Sequence, residues 1–245
     1  MRGLVAFLVA VTLWIASLGA AVAQEDDKGF LTRAIQDALS GAGRTVSIDG
    51  FQGALSSTAS FDRMTIADSE GVWLTLEDVT LDWTRSALLR GRLEVQSLTA
   101  ARLDLPRLPL PEEGVDLPEA EAQPFSLPEL PVSINIADFG VDQINLGAPL
   151  LGEAAQLSLR ATAQYTDDLL NLDISAIRTD AKQGEFAIKA NLERSDNILD
   201  LLVKLSEGEE GIVAKLMNLP DQPAVEMTVE GSGPLTDFAS DLNIS

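Results

Sequence analysis

The chain has 245 residues with a hydrophobic share of 46%, enough apolar material for one or two packed domains and too much for a disordered chain. Its formal net charge of -21, from 38 acidic against 17 basic residues, repels both nucleic-acid phosphates and anionic head groups, so no nucleic acid is expected as a partner. With no Cys and no His, the sequence excludes disulfides, thiolate nucleophiles, Cys/His zinc sites, a conventional catalytic triad and an acylated-cysteine anchor.

Residues 3–23 contain no charged side chain. At about 1.5 Å rise per residue, a helix of this length reaches across a hydrocarbon core of roughly 30 Å. Leu4, Phe7, Leu8, Leu13, Trp14, Ile15 and Leu18 supply its apolar bulk, Arg2 precedes it, and Glu25, Asp26 and Asp27 follow it. The basic flank is expected to stay cytoplasmic, which sends the remainder outward. Residues 1–23 therefore read as a signal anchor or a signal peptide. Ala21-Val22-Ala23 before Gln24 has the small-x-small form that signal peptidase accepts, whereas the full bilayer length favours a retained anchor.

The segment 24–105 reads as an N-terminal helix plus a first β unit. Phe30, Leu31, Ala34, Ile35, Ala38 and Leu39 recur at helical spacing, with Gly41 and Gly43 as the stop. This helix lacks a basic polar face, so packing on the first strands is favoured over lying on a membrane. From Thr45 the period becomes two. Val72, Leu74 and Leu76 alternate with Trp73 and Thr75, then Val79, Leu81 and Trp83 alternate in the opposite phase, which requires a bulge or tight bend at Glu77-Asp78. Residues 86–90 suit a helical turn.

Residues 106–131 concentrate Pro with Glu and Asp and read as an exposed linker without regular structure. A second β unit is expected over 132–245, where Leu157 and Leu159, Leu172 and Ile174, Phe186 and Ile188, and Leu201 and Val203 alternate with polar residues. A short helix is expected at 209–218, with Ile212, Val213, Leu216 and Met217 on one side. The chain ends inside another alternating run containing Leu242 and Ile244, so the β unit is expected to continue beyond these residues, as in a fragment.

Chemistry-bearing motifs are weak. The carboxylate pairs Asp26-Asp27, Glu112-Glu113, Asp167-Asp168 and Glu209-Glu210 fall in turns, linkers or helix starts, where solvated charge is the simpler explanation. Gly41-Ala42-Gly43 lacks the third glycine of a phosphate cradle, and no Ser sits in a G-x-S-x-G setting. No enzyme activity, metal or cofactor is expected. What remains is the aliphatic face, with Leu74, Leu76, Val79, Leu81, Leu157, Leu159, Leu172, Ile174, Phe186, Ile188, Leu201 and Val203 as its lining. Alternation alone fits a closed β-sandwich with a structural or adhesive role at least as well as an open, curled sheet that binds acyl chains.

The runs Gly-Phe-Leu-Thr-Arg (29–33), Val-Ser-Ile-Asp-Gly-Phe-Gln-Gly-Ala-Leu-Ser-Ser (46–57), Thr-Ile-Ala-Asp (65–68), Gly-Val-Trp-Leu-Thr-Leu-Glu-Asp-Val (71–79), Leu-Asp-Trp (81–83) and Leu-Leu-Arg-Gly-Arg-Leu-Glu-Val (88–95) resemble the N-terminal region of the TamB family. Val-Glu-Gly-Ser-Gly-Pro-Leu-Thr-Asp-Phe (229–238) is similar to that family's recurrent repeat element. The resemblance rests on apolar and turn positions and brings no catalytic residues with it. It implies an all-β fold with an N-terminal transmembrane helix and a short amphipathic helix, followed by an elongated, curled antiparallel groove with an apolar inner face. It also implies a single span in the bacterial inner membrane, with the bulk of the chain in the periplasm. The expected clients are phospholipid acyl chains or unfolded outer-membrane proteins, handled together with the outer-membrane barrel TamA. The family's C-terminal region that engages TamA has no counterpart in these residues.

Overall fold

A computed structural model describes residues 44–53, 56–110 and 132–245. The expected membrane span, the helix around residues 30–39 and most of the Pro-rich segment lie outside them. Among the described residues, no helix is long and apolar enough to cross a membrane.

The described residues form one open sheet of 11 strands whose spatial order is their sequence order. The strands are β1 (Thr45–Asp49), β2 (Thr58–Asp68), β3 (Gly71–Trp83), β4 (Arg92–Leu105), β5 (Ser133–Leu146), β6 (Ala155–Tyr165), β7 (Leu169–Arg178), β8 (Gly184–Glu193), β9 (Ile198–Glu207), β10 (Val225–Pro234) and β11 (Ser240–Ile244). Three short α-helices, α1 (Arg85–Leu88), α2 (Ala148–Leu151) and α3 (Ile212–Leu216), and a 3-10 turn over Leu235–Asp237 interrupt them. Local chemistry sets the turns. The Asp68 carboxylate accepts the Glu70 N–H at 2.9 Å, and Thr166 Oγ1 accepts the Leu169 N–H at 3.1 Å, so each side chain stands in for a backbone acceptor at a reversal.

Neighbouring strands pair antiparallel except β4 and β5, which are parallel from Arg92↔Ser133 to Leu105↔Leu146. This departs from the wholly antiparallel sheet expected from the sequence. Antiparallel neighbours can be joined by a tight turn, whereas parallel ones need a crossover of a dozen or more residues, and the Pro-rich segment supplies it. Its two ends are pinned. Arg107 donates to Asp68 at 2.8 and 2.5 Å, the Leu110 N–H donates to Asp68 at 3.0 Å, and the Ser133 N–H donates to the Gly91 carbonyl at 3.0 Å. The Arg107 hydrogen bond, with added backbone donors, holds the Asp68 carboxyl well below the usual carboxylate range.

The phase change at Glu77-Asp78 is a bend without an inserted residue. Leu76↔Leu103 and Val79↔Ala100 keep one register, as do Met64↔Leu76 and Phe61↔Val79. The apolar phase therefore flips at the same level in β2, β3 and β4, and again in β5 between Val141 and Ile144. Asp78 sits at φ 51, in the left-handed region. A separate bulge leaves Trp73 opposite no residue, because Ile66 pairs with Leu74 while Ala67 pairs with Val72. Trp73 is thereby turned onto the buried cluster and Val72 is left exposed, the reverse of simple alternation.

The helix expected at 209–218 forms only over Ile212–Leu216. Ile212 and Ala214 are buried, but Leu216 and Met217 are exposed. The chain leaves the helix through left-handed Asn218, Asp221 and Gln222, so the expected apolar stripe has too few turns to develop.

Candidate functional site

Side chains on a strand alternate faces, so the ladder register decides which residues share one. From β6 to β10 it aligns Leu159, Ala176, Phe186, Leu205 and Met227 in one row, and Ala161, Ile174, Ile188, Val203 and Val229 in the next. A third row runs Ala163, Leu172, Ala190, Leu201 and Gly231. Towards β3 the same face continues through Val141, Ala100 and Val79, and through Phe139, Leu98 and Leu81. All twelve residues singled out from alternation thus stand on a single face. The opposite face is polar, with Arg160 Nη2 2.6 Å from Asp142 and Lys189 Nζ 3.0 Å from Asp173, both pairs exposed.

Burial along this face is uneven. Towards β1 it is packed into three clusters, centred on Ile66 and Leu74, on Val79 and Val141, and on Trp83 and Leu93. From β7 to β10 the central residues Leu172, Ile174, Phe186, Ile188, Leu201 and Val203 are only half-buried. Cross-strand neighbours cover the flanks of such side chains, but full burial needs a second layer. Among the described residues no second sheet lies opposite, and no helix is longer than five residues. At about 3.4 Å per residue and about 4.8 Å between strands, the half-buried region is roughly 20 Å on each side. That footprint is on the order of 400 Å².

One end of the face is closed by charged groups. There the next row runs Leu157, Arg178, Gly184, Glu207 and Val225, so two charged side chains occupy aliphatic positions and both are buried. Gly184 has to lack a side chain, since a Cβ there would meet the Arg178 stem at 2.7 Å. Arg178 donates to Asp180 at 2.7 Å and to Glu153 at 3.1 Å, and Glu153 also accepts from Lys182 at 2.7 Å and from Lys215. Burial raises the Glu153 carboxyl, but these donors outweigh it and bring it down to about 2. Glu207 accepts the Val213 N–H at 2.7 Å and so caps the start of α3. The network joins the connections after β5, β7 and β9. At the other end Tyr165 is buried, with the Arg194 guanidinium 5.0 Å above its ring.

Alternation did not single out Arg178 or Glu207. A signal was present for Arg178, which falls in phase with Leu170, Leu172 and Ile174, where another aliphatic residue would continue the run. The carboxylate pairs Asp167-Asp168 and Glu209-Glu210 are exposed in turns, whereas Asp26-Asp27 and Glu112-Glu113 lie outside the described residues. Among the described residues no group of three or more Asp or Glu side chains is placed to hold a metal ion. No family model, no curated protein and no solved structure matches the chain.

Proposed function

We propose that the protein is a non-enzymatic, membrane-tethered carrier that holds phospholipid acyl chains on the open face of a curled β-groove during assembly of the bacterial envelope. One observation carries the reading: the aliphatic, half-buried face of β7 to β10, left without a covering layer among the described residues and closed by charge at one end. Such a face offers no hydrogen bonds in its interior, which suits a ligand that needs none. From Leu170 to Ala176 the face is about 20 Å long at about 3.4 Å per residue. An acyl chain occupies about half of a ~30 Å hydrocarbon core, so one chain fits along a strand.

The uncharged run 3–23, with Arg2 before it and acidic residues after it, supports an inner-membrane tether and a periplasmic sheet. The resemblance to the TamB family supports movement of phospholipid between inner and outer membranes, in cooperation with TamA. A closed sandwich would need a layer covering the half-buried rows.

The test compares phospholipid that copurifies with the full chain, by mass spectrometry, for the dry-face pair Ile188→Asp/Val203→Asp and the wet-face pair Lys189→Asp/Lys204→Asp. The proposal expects at least a fivefold loss of lipid in the dry-face variant alone. Equal lipid in both, with both folded, would sink it.

A further inference from the structure

Resting on the lipid-carrier reading of the open face, we propose that phospholipid is loaded from the side, at β7 to β10. It is not passed along the face from the β1 end, which the protein's own side chains wall off. The proposed tether, residues 3–23, precedes β1, so a lipid handed along the face from the anchored end would cross β1 to β5 first.

The wall is built along β4, which touches all three buried clusters. Leu93 and Val95 belong to the cluster of Trp83, Ala100 belongs to that of Val79 and Val141, and Leu98 and Leu103 pack on the latter. Leu105, at the end of the strand, packs on the cluster of Ile66 and Leu74. From Leu93 to Leu105 this is about 40 Å at about 3.4 Å per residue. The half-buried region of β7 to β10 is roughly half as long, and its rows meet β4 between Val95 and Ala100, so the wall extends past it on both sides. With Leu93 4% exposed and Val141 3%, the contacts are already filled by neighbouring side chains. A close-packed cluster admits an acyl chain only by parting, which gives up the contacts that hold it.

The wall ends at β6. Leu157 and Leu159 still pack on the Val141 cluster. The next residues facing this side, Ala161 and Ala163, are too small to continue it, and their β7 partners Ile174 and Leu172 are half-buried. One row therefore passes from buried Val95 through Ile136 and Ala163 to half-buried Leu172 within three strand spacings, about 14 Å. A lipid that approaches β7 to β10 meets uncovered apolar surface, whereas one that approaches over β1 meets a finished core.

The test uses the unmodified full chain and places the probe on the lipid. The protein is reconstituted in vesicles of phosphatidylcholine carrying a diazirine on one acyl chain, then taken into mild detergent and irradiated, so that retained lipid is captured. Adducts are located by peptide mass spectrometry. The expected result is at least fivefold more adduct on peptides covering β7 to β10 than on those covering β2 to β5. Comparable labelling of β2 to β5 would overturn side loading and leave the lipid-carrier reading standing. Folded protein with adducts on neither group of strands would overturn both.

Discussion

Leu157 on β6 and Arg178 on β7 are register partners, so a row that is aliphatic on one strand becomes a guanidinium on the next, with its side chain 3% exposed. Arg178 marks where the apolar face stops. Replacing it by leucine would extend that face by one row but strand the carboxylates of Glu153 and Asp180. Breaking one side of a buried ion pair costs about 3–5 kcal/mol, more than one added leucine returns. Arg178→Leu is therefore expected to lower the urea midpoint strongly, and Arg178→Lys to lower it less.

The same network sets a pH dependence. Glu153 has a folded value of about 2 against 4.5 for the free group. A depressed carboxyl contributes stability that is full above about pH 4.5 and is lost as the pH falls towards 2. Asp68, Asp180 and Glu77 are shifted the same way, by hydrogen bonds and charge from arginine partners that outweigh burial. Urea midpoints measured from neutral to acid pH should fall across this window. Glu153→Gln should flatten the fall and cost about 2 kcal/mol at neutral pH.

Asp78 tests the bend that keeps β2 to β5 in phase. Its φ of 51 is tolerated by Asp, Asn and Gly and is costly for a β-branched residue. Asp78→Gly should leave the melting temperature unchanged or raise it slightly. Asp78→Val should destabilise by about 1–3 kcal/mol, although valine is the better strand former elsewhere.

Much of the sheet was legible because its strands are dry on one side only, which writes a period of two into the sequence. The rows through Ile174, Ile188 and Val203 follow directly from it. Phase changes were visible at Glu77-Asp78, but not the fact that neighbouring strands flip together, since that is a property of register. The parallel pairing of β4 with β5 left no local trace either: Leu93 and Val95 alternate in the same way whichever direction a neighbour runs. The positions of Arg178 and Glu207 on the dry face depend on loops that meet only in the folded sheet.

The contrast between packed and open parts of one face gives a further expectation. Ile66 is 2% exposed within its cluster, whereas Ile188 is half-buried. Placing an amide in the first site leaves it unsolvated, at a cost of about 3 kcal/mol or more; in the second, water reaches it. Ile66→Asn should unfold the chain at moderate urea, and Ile188→Asn should cost about 1 kcal/mol or less while impairing lipid retention.

The most direct test of an open, lipid-bearing face is photo-crosslinking in native membranes, with the probe at Leu159 or Ile188 on the apolar face and at Arg160 or Lys189 on the polar one. The account predicts phospholipid adducts at Leu159 and Ile188 and none at Arg160 or Lys189. Folded, exported protein that gives no lipid adduct at any of the four positions would contradict it.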